Sequence, residues 1–156
     1  MNDRHAPPSL PRPPPRMRGF TLIESMVAVG IAAVLAGIAY PSLEGHLLRA
    51  RRTDALVALM NAQLTQERYR SDHRSYGDLA ETGLRGTSAS GYYTLQVTSH
   101  TATGFEILAS ATARQARDTA CRHLRLVSLG AAVSYASGAD TATANPADVN
   151  RKCWNQ

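Results

Sequence analysis

The feature that most constrains this chain is the run FTLIESMVAVGIAAVLAGIAY at residues 20–40, 21 residues with one charge, Glu24, followed at once by Pro41. A helix needs about 20 predominantly apolar residues to cross a bilayer core, so the run is long enough to span one. A helix apolar on every side must be covered all round, by lipid or by other helices. Gly30 and Gly37, seven apart among alanines, would allow close helix–helix contact. Pro41 marks a kink or local break in a helix able to continue beyond it.

What precedes the run fixes its orientation. Residues 1–18, MNDRHAPPSLPRPPPRMR, hold six of the eight prolines, four arginines (Arg4, Arg12, Arg16, Arg18) and one acid, Asp3. Proline removes backbone donors and fixes φ, so this stretch is expected to be extended rather than folded. Basic flanks are held on the cytoplasmic side, which places the N-terminus inside. Three of the chain's five units of net positive charge lie in these residues, so the high pI says little about the rest, and charge alone does not make a nucleic-acid binder.

Glu24 is the fifth residue of the apolar run. A carboxylate costs about 2.5–3.5 kcal/mol at mid-bilayer and less near an interface. Either it sits harmlessly among headgroups or it is kept to meet a positive charge in apolar surroundings; position alone does not choose.

Residues 42–73 read as a continuation of the helix with mixed polarity. Leu56, Met60 and Leu64 recur at four-residue spacing and Val57 joins them, which marks a face for packing on a core. Arg49, Arg51, Arg52, Gln66, Glu67 and Arg68 would form its solvated faces. Residues 74–90, rich in glycine and serine, read as a loop. Alternation then sets in. Tyr93, Leu95 and Val97 share one face of a strand, Phe105, Ile107 and Ala109 of a second, and Leu124, Leu126 and Ser128 of a third. HTATG suits a hairpin between the first two, AVSYAS gives a weaker fourth strand, and residues 137–152 are turn-rich. The expected architecture is α+β: one long helix, its amphipathic half packed on a small antiparallel sheet of about four strands.

Two cysteines, Cys121 and Cys153, close the chain. In an exported domain such a pair bonds; in a cytosolic one it would be two thiols. Their spacing carries no metal signature and no cofactor or metal site is expected. The five histidines are scattered and no GxSxG, HExxH or P-loop string occurs, so the chain is not expected to be an enzyme. Arg114, Arg117, Arg122, Arg125, Arg151 and Lys152 fall near the cysteines and could form a basic patch for DNA, though with few aromatic residues to stack on bases.

The string Arg18-Gly19-Phe20-Thr21-Leu22-Ile23-Glu24 joins these readings. An ordinary secretory signal is cut after its apolar stretch; here the small residue stands before it. Gly-Phe-Thr-Leu-Ile-Glu followed by an apolar helix resembles the signal of type IV prepilins and pseudopilins, closely over residues 18–41 and loosely through the helix, sheet and cysteine pair. The CRHLRL and CW contexts of the cysteines are similar to those of PilE-type minor pilins. The resemblance implies a type IV pilin fold with a C-terminal disulfide-bounded loop between Cys121 and Cys153. It implies a leader, 1–19, removed by a prepilin peptidase after Gly19, and N-methylation of Phe20. A membrane and filament-core helix would follow at 20–41, its amphipathic half at 42–73, and the αβ-loop, sheet and disulfide region at 74–156. Glu24 would be the family's assembly acid, pairing with the Phe20 amine of a neighbouring subunit, and Pro41 its helix-breaking proline. Partners would be other pilins, an inner-membrane assembly platform and, before assembly, membrane lipid. The subunit would sit single-pass in the inner membrane with its N-terminus cytoplasmic, then in an extracellular pilus for biogenesis, adhesion and twitching motility. A type II secretion pseudopilin and a DNA-binding minor pilin for transformation are the alternatives.

Overall fold

The computed structural model describes residues 19–156, with residues 40–42 described by their backbone alone. Residues 1–18 of the expected leader therefore lie outside the described residues. Two compact units are distinguished, one ending at Ala39 and one from Tyr40 to Gln156.

Helix α1 runs from Leu22 to His73 and is assigned unbroken across Pro41; the expected kink falls on a residue described by its backbone only. In the first unit the helix is apolar all round. Leu22–Ala39 has a mean hydropathy of 2.2 and none of it is buried.

In the second unit α1 packs on a sheet. Strands β1 (Tyr93–His100), β2 (Gly104–Ala111), β3 (His123–Leu129) and β4 (Ala132–Gly138) pair antiparallel in chain order. The register slips between Val97 and Ser99, so one extra residue bulges from β1. Tyr93, Leu95, Phe105, Ile107, Ala109, Leu124 and Leu126 face the core as alternation predicts, and Ser128 is buried on the same side of β3.

The face that α1 presents to this sheet differs from the expected one. Ala55, Leu59 and Ala62 are buried, with Arg52 and Gln66 in line with them. Val57, Met60 and Leu64 are 51%, 44% and 67% exposed, and Leu56 only borders the core. The buried stripe lies about a third of a turn round from the expected one. Alanines let the helix come close to the sheet, while Tyr93, Phe105, Leu124 and Leu126 supply the bulk; large helix residues there would hold the layers apart. Arg52 and Gln66, expected in solvent, are buried because each is hydrogen-bonded. The Gln66 amide grips the Gly77 peptide at both ends, donating to its carbonyl at 2.6 Å and accepting from its N–H at 3.1 Å. A side chain at Gly77 would meet Tyr69 at 2.9 Å, so the loop approaches α1 only through glycine.

Two short helices occupy stretches expected to be loop. Helix α2, Leu79–Thr82, is opened by a capping box in which Asp78 and Glu81 exchange hydrogen bonds. Helix α3, Ala147–Cys153, follows Pro146 and carries Asp148 in its first turn and Arg151 and Lys152 in its last, the polarity the helix dipole favours. Between β2 and β3 lie two 3-10 turns, Ala113–Arg117 and Thr119–Cys121.

Cys121 and Cys153 form a disulfide, Cα–Cα 5.5 Å, joining the second turn to α3. Closing a loop of this size contributes about 2–4 kcal/mol. Asn150 donates to the Tyr135 carbonyl and Trp154 to that of Ala136, which lock α3 against β4.

Candidate assembly site and cationic surface

Gly19 and Phe20 precede α1 and are exposed, Phe20 at 82%. The Thr21 hydroxyl accepts from the Glu24 N–H at 3.3 Å, capping the first turn, and Glu24 stands exposed beside that positive helix end. Behind it Leu22, Ile23, Met26, Val27, Val29, Ile31, Val34, Leu35 and Ile38 are all exposed. A surface of this size marks an interaction with lipid or protein. A Cβ built on Gly30 or Gly37 would meet nothing within 4 Å, so both glycines are open to an approaching helix.

In the second unit a buried polar cluster ties α1 to the turn region. The Arg52 guanidinium holds the Asp118 carboxylate in a two-point pair, Nε–Oδ2 2.5 Å and Nη2–Oδ1 2.7 Å, and donates to the Lys152 carbonyl. Gln115, also buried, donates to the Leu48 carbonyl and to the Tyr93 hydroxyl, both at 3.0 Å. Burial pushes the Tyr93 phenol up to about 12, with the Asp118 charge adding to the shift. Helix, sheet, turn region and α3 are thus joined through four polar side chains. No spacing in the sequence announced this cluster, since its members lie as far as 66 residues apart.

The expected basic patch is divided. Arg114, Arg117, Arg151 and Lys152 are exposed, with Arg117 pairing to Glu44 at 2.9 Å. Arg122 is half-buried and donates to the Ala116 carbonyl, and Arg125 is held by Glu106 and the Thr141 carbonyl. These two are engaged in structure rather than presented to a ligand. Arg52 touches both Asp118, next to Arg117 in the chain, and the Lys152 carbonyl.

Ser110 and His123 approach within 2.9 Å on the sheet face away from α1. Burial and the Arg122 charge push the His123 imidazole below its ordinary value. Among the described residues no carboxylate hydrogen-bonds its other nitrogen, so the pair lacks the third, orienting group of a catalytic triad. Among those residues, too, no group of three His, Cys, Asp or Glu side chains is placed to hold a metal.

Comparison with known proteins decides the family. Residues 14–40 match the prokaryotic N-terminal methylation motif, and residues 41–125 match the family described as type IV minor pilin ComP, DNA uptake sequence receptor. The chain belongs to the type IV pilin family. This pilin is 37% identical over 76 residues to the type IV wide pilus major component PilA4 of Thermus thermophilus, covering 46% of the chain and 58% of that protein. It is 38% identical over 66 residues to the type IV major pilin protein PilA of Myxococcus xanthus, covering 42% and 30%. Against the type II secretion system core protein G of Pectobacterium carotovorum it is 36% identical over 70 residues, covering 45% and 44%. The matched segments span 30% to 58% of these relatives' own length. The pilin family is a structural one, and the apolar helix of this member accords with membrane anchoring.

Proposed function

We propose that this pilin is a minor, non-catalytic filament subunit: a prepilin held by residues 20–41 in the inner membrane, cut after Gly19 and N-methylated at Phe20. Its partners are a prepilin peptidase, an assembly platform and other pilins, and it ends in an extracellular pilus serving biogenesis, adhesion and twitching. The observation that carries this reading is the fully exposed apolar helix Leu22–Ala39, which begins within GFTLIE. Such a helix needs an apolar environment, and a cut before it leaves it attached. Co-expression with a prepilin peptidase should yield a chain starting at Phe20, and Gly19→Val should block the cut; a product still starting at Met1 beside an active peptidase would contradict the reading.

A second reading, DNA capture, is favoured by the match of residues 41–125 to the ComP family and by the exposed cations beside the disulfide. Arg117, Arg151 and Lys152 would meet backbone phosphates. The Arg151→Gln, Lys152→Gln double variant should weaken duplex binding and reduce the slope of log K against log salt by about 2. An unchanged slope would remove these residues from any DNA surface. The likeness to core protein G keeps a secretion pseudopilin in contention; loss of secretion with pili intact on deletion would establish it.

A further inference from the structure

Where α1 enters the second unit it is ringed by arginines that the filament reading leaves unused. The turn Ala113–Arg117 is fastened to α1 at Leu48, whose carbonyl accepts from Gln115. On one side of this contact Arg114 and Arg51 line a small cleft with Leu43, Leu47 and Glu44. On the other, Arg49 and Arg117 line an open hollow of about 270 Å³ with Gly45, Thr119, Ala120 and the Arg52–Asp118 pair. Arg51 lies over the Tyr92 ring, 4.8 Å from its centre, Arg49 reaches back to the Gly45 carbonyl, and Arg114 is exposed. The acids nearby are engaged, Glu44 with Arg117, Asp118 with Arg52, and Asp54 as acceptor for Ser88 and Ser90, and among the described residues Arg49, Arg51 and Arg114 form no salt bridge with an acid. Beside them Leu43 and Leu47 are 57% and 46% exposed.

We infer that this collar docks on the headgroups of an anionic phospholipid surface, holding the soluble unit down on the membrane until the subunit is extracted; the inference rests on the membrane-anchored reading above. Arginines beside exposed leucines suit a membrane interface: guanidinium groups meet phosphates while leucines enter the headgroup–acyl boundary. Nucleic acid would satisfy the charges and leave the leucines wet. The tether supplies the proximity. Leu43 lies four positions beyond Ala39, the end of the apolar window, and four residue steps reach at most about 14 Å however the two units are oriented.

The test uses the full chain in lipid nanodiscs, with Leu47→Trp as an added fluorophore and a headgroup spin-labelled lipid as quencher. Quenching beyond the parent chain's background should be strong in discs containing phosphatidylglycerol and weak in phosphatidylcholine alone. It should fall in about 0.5 M NaCl, where charges are screened beyond roughly 4 Å. Adding Arg49→Gln and Arg114→Gln should lower the docked-to-free ratio about twenty-five-fold, at roughly fivefold for each arginine. Quenching indifferent to lipid charge, salt and the arginines would overturn the collar while leaving anchoring intact. A chain that does not enter discs would overturn anchoring and the collar together. If the same arginine pair removes binding of a DNA duplex in detergent and leaves quenching unchanged, the collar is a nucleic-acid contact and the lipid assignment is wrong.

Discussion

Replacing Arg52 by methionine lowers the stability of the soluble unit by about 3–5 kcal/mol. Asp118 is 7% exposed and receives both of its strong side-chain contacts from that guanidinium. With Arg52 gone, the remaining side-chain donor is the Gln115 amide at 3.5 Å, too long to replace an ion pair. Burying an uncompensated carboxylate is what makes the single substitution costly; burying the intact pair is close to neutral against an apolar replacement of similar volume. The double variant, Arg52→Met with Asp118→Ala, should therefore be more stable than Arg52→Met alone. Urea unfolding of the disulfide-bonded protein reports this through Trp154, the single tryptophan, buried beside Cys153. Additive effects of the two substitutions would mean that the contacts at 2.5 and 2.7 Å contribute little coupling.

Glu24→Ala should leave the prepilin inserted and processed yet reduce its share of sheared filaments roughly tenfold or more, the size of effect that close ion pairs at protein interfaces reach. The carboxylate is exposed in the first turn of α1, ahead of an apolar surface with no cover of its own. In lipid the substitution is favourable, because it removes a charge costing up to about 2.5–3.5 kcal/mol. In a filament core it would strand the Phe20 amine of a neighbouring subunit in apolar surroundings, and with it the axial register of one helix on the next. Glu24→Gln separates charge from side-chain size, and capping is unaffected in either variant because Thr21 caps through the residue-24 backbone N–H. Normal incorporation of both would count against a role for the carboxylate in assembly.

These two residues show how unevenly the sequence could be read. The apolar N-terminal helix, the four strands with their inward faces and the Cys121–Cys153 region follow from period, length and family likeness, and all stand in the structure. The packing face of α1 departs from the one its bulky apolar residues predict. The helix instead buries its alanines against a sheet that is itself bulky, and leaves Val57, Met60 and Leu64 outside. Helix α2 carried a readable signal, Asp78 three residues before Glu81, masked by the glycines and serines around it. Arg52, Gln66, Gln115 and Asp118 had no such signal. A buried polar residue resembles a surface one until its partner is known, and here the partners come from other elements of the fold.

The central claim is that the chain is cut after Gly19 and assembled through the helix that the cut leaves attached. Intact mass and N-terminal sequencing of the protein in sheared surface filaments test it most directly. The account predicts a chain beginning at N-methylated Phe20 in the sheared fraction. A chain beginning at Met1 and confined to membranes, in a host with an active prepilin peptidase, would contradict it.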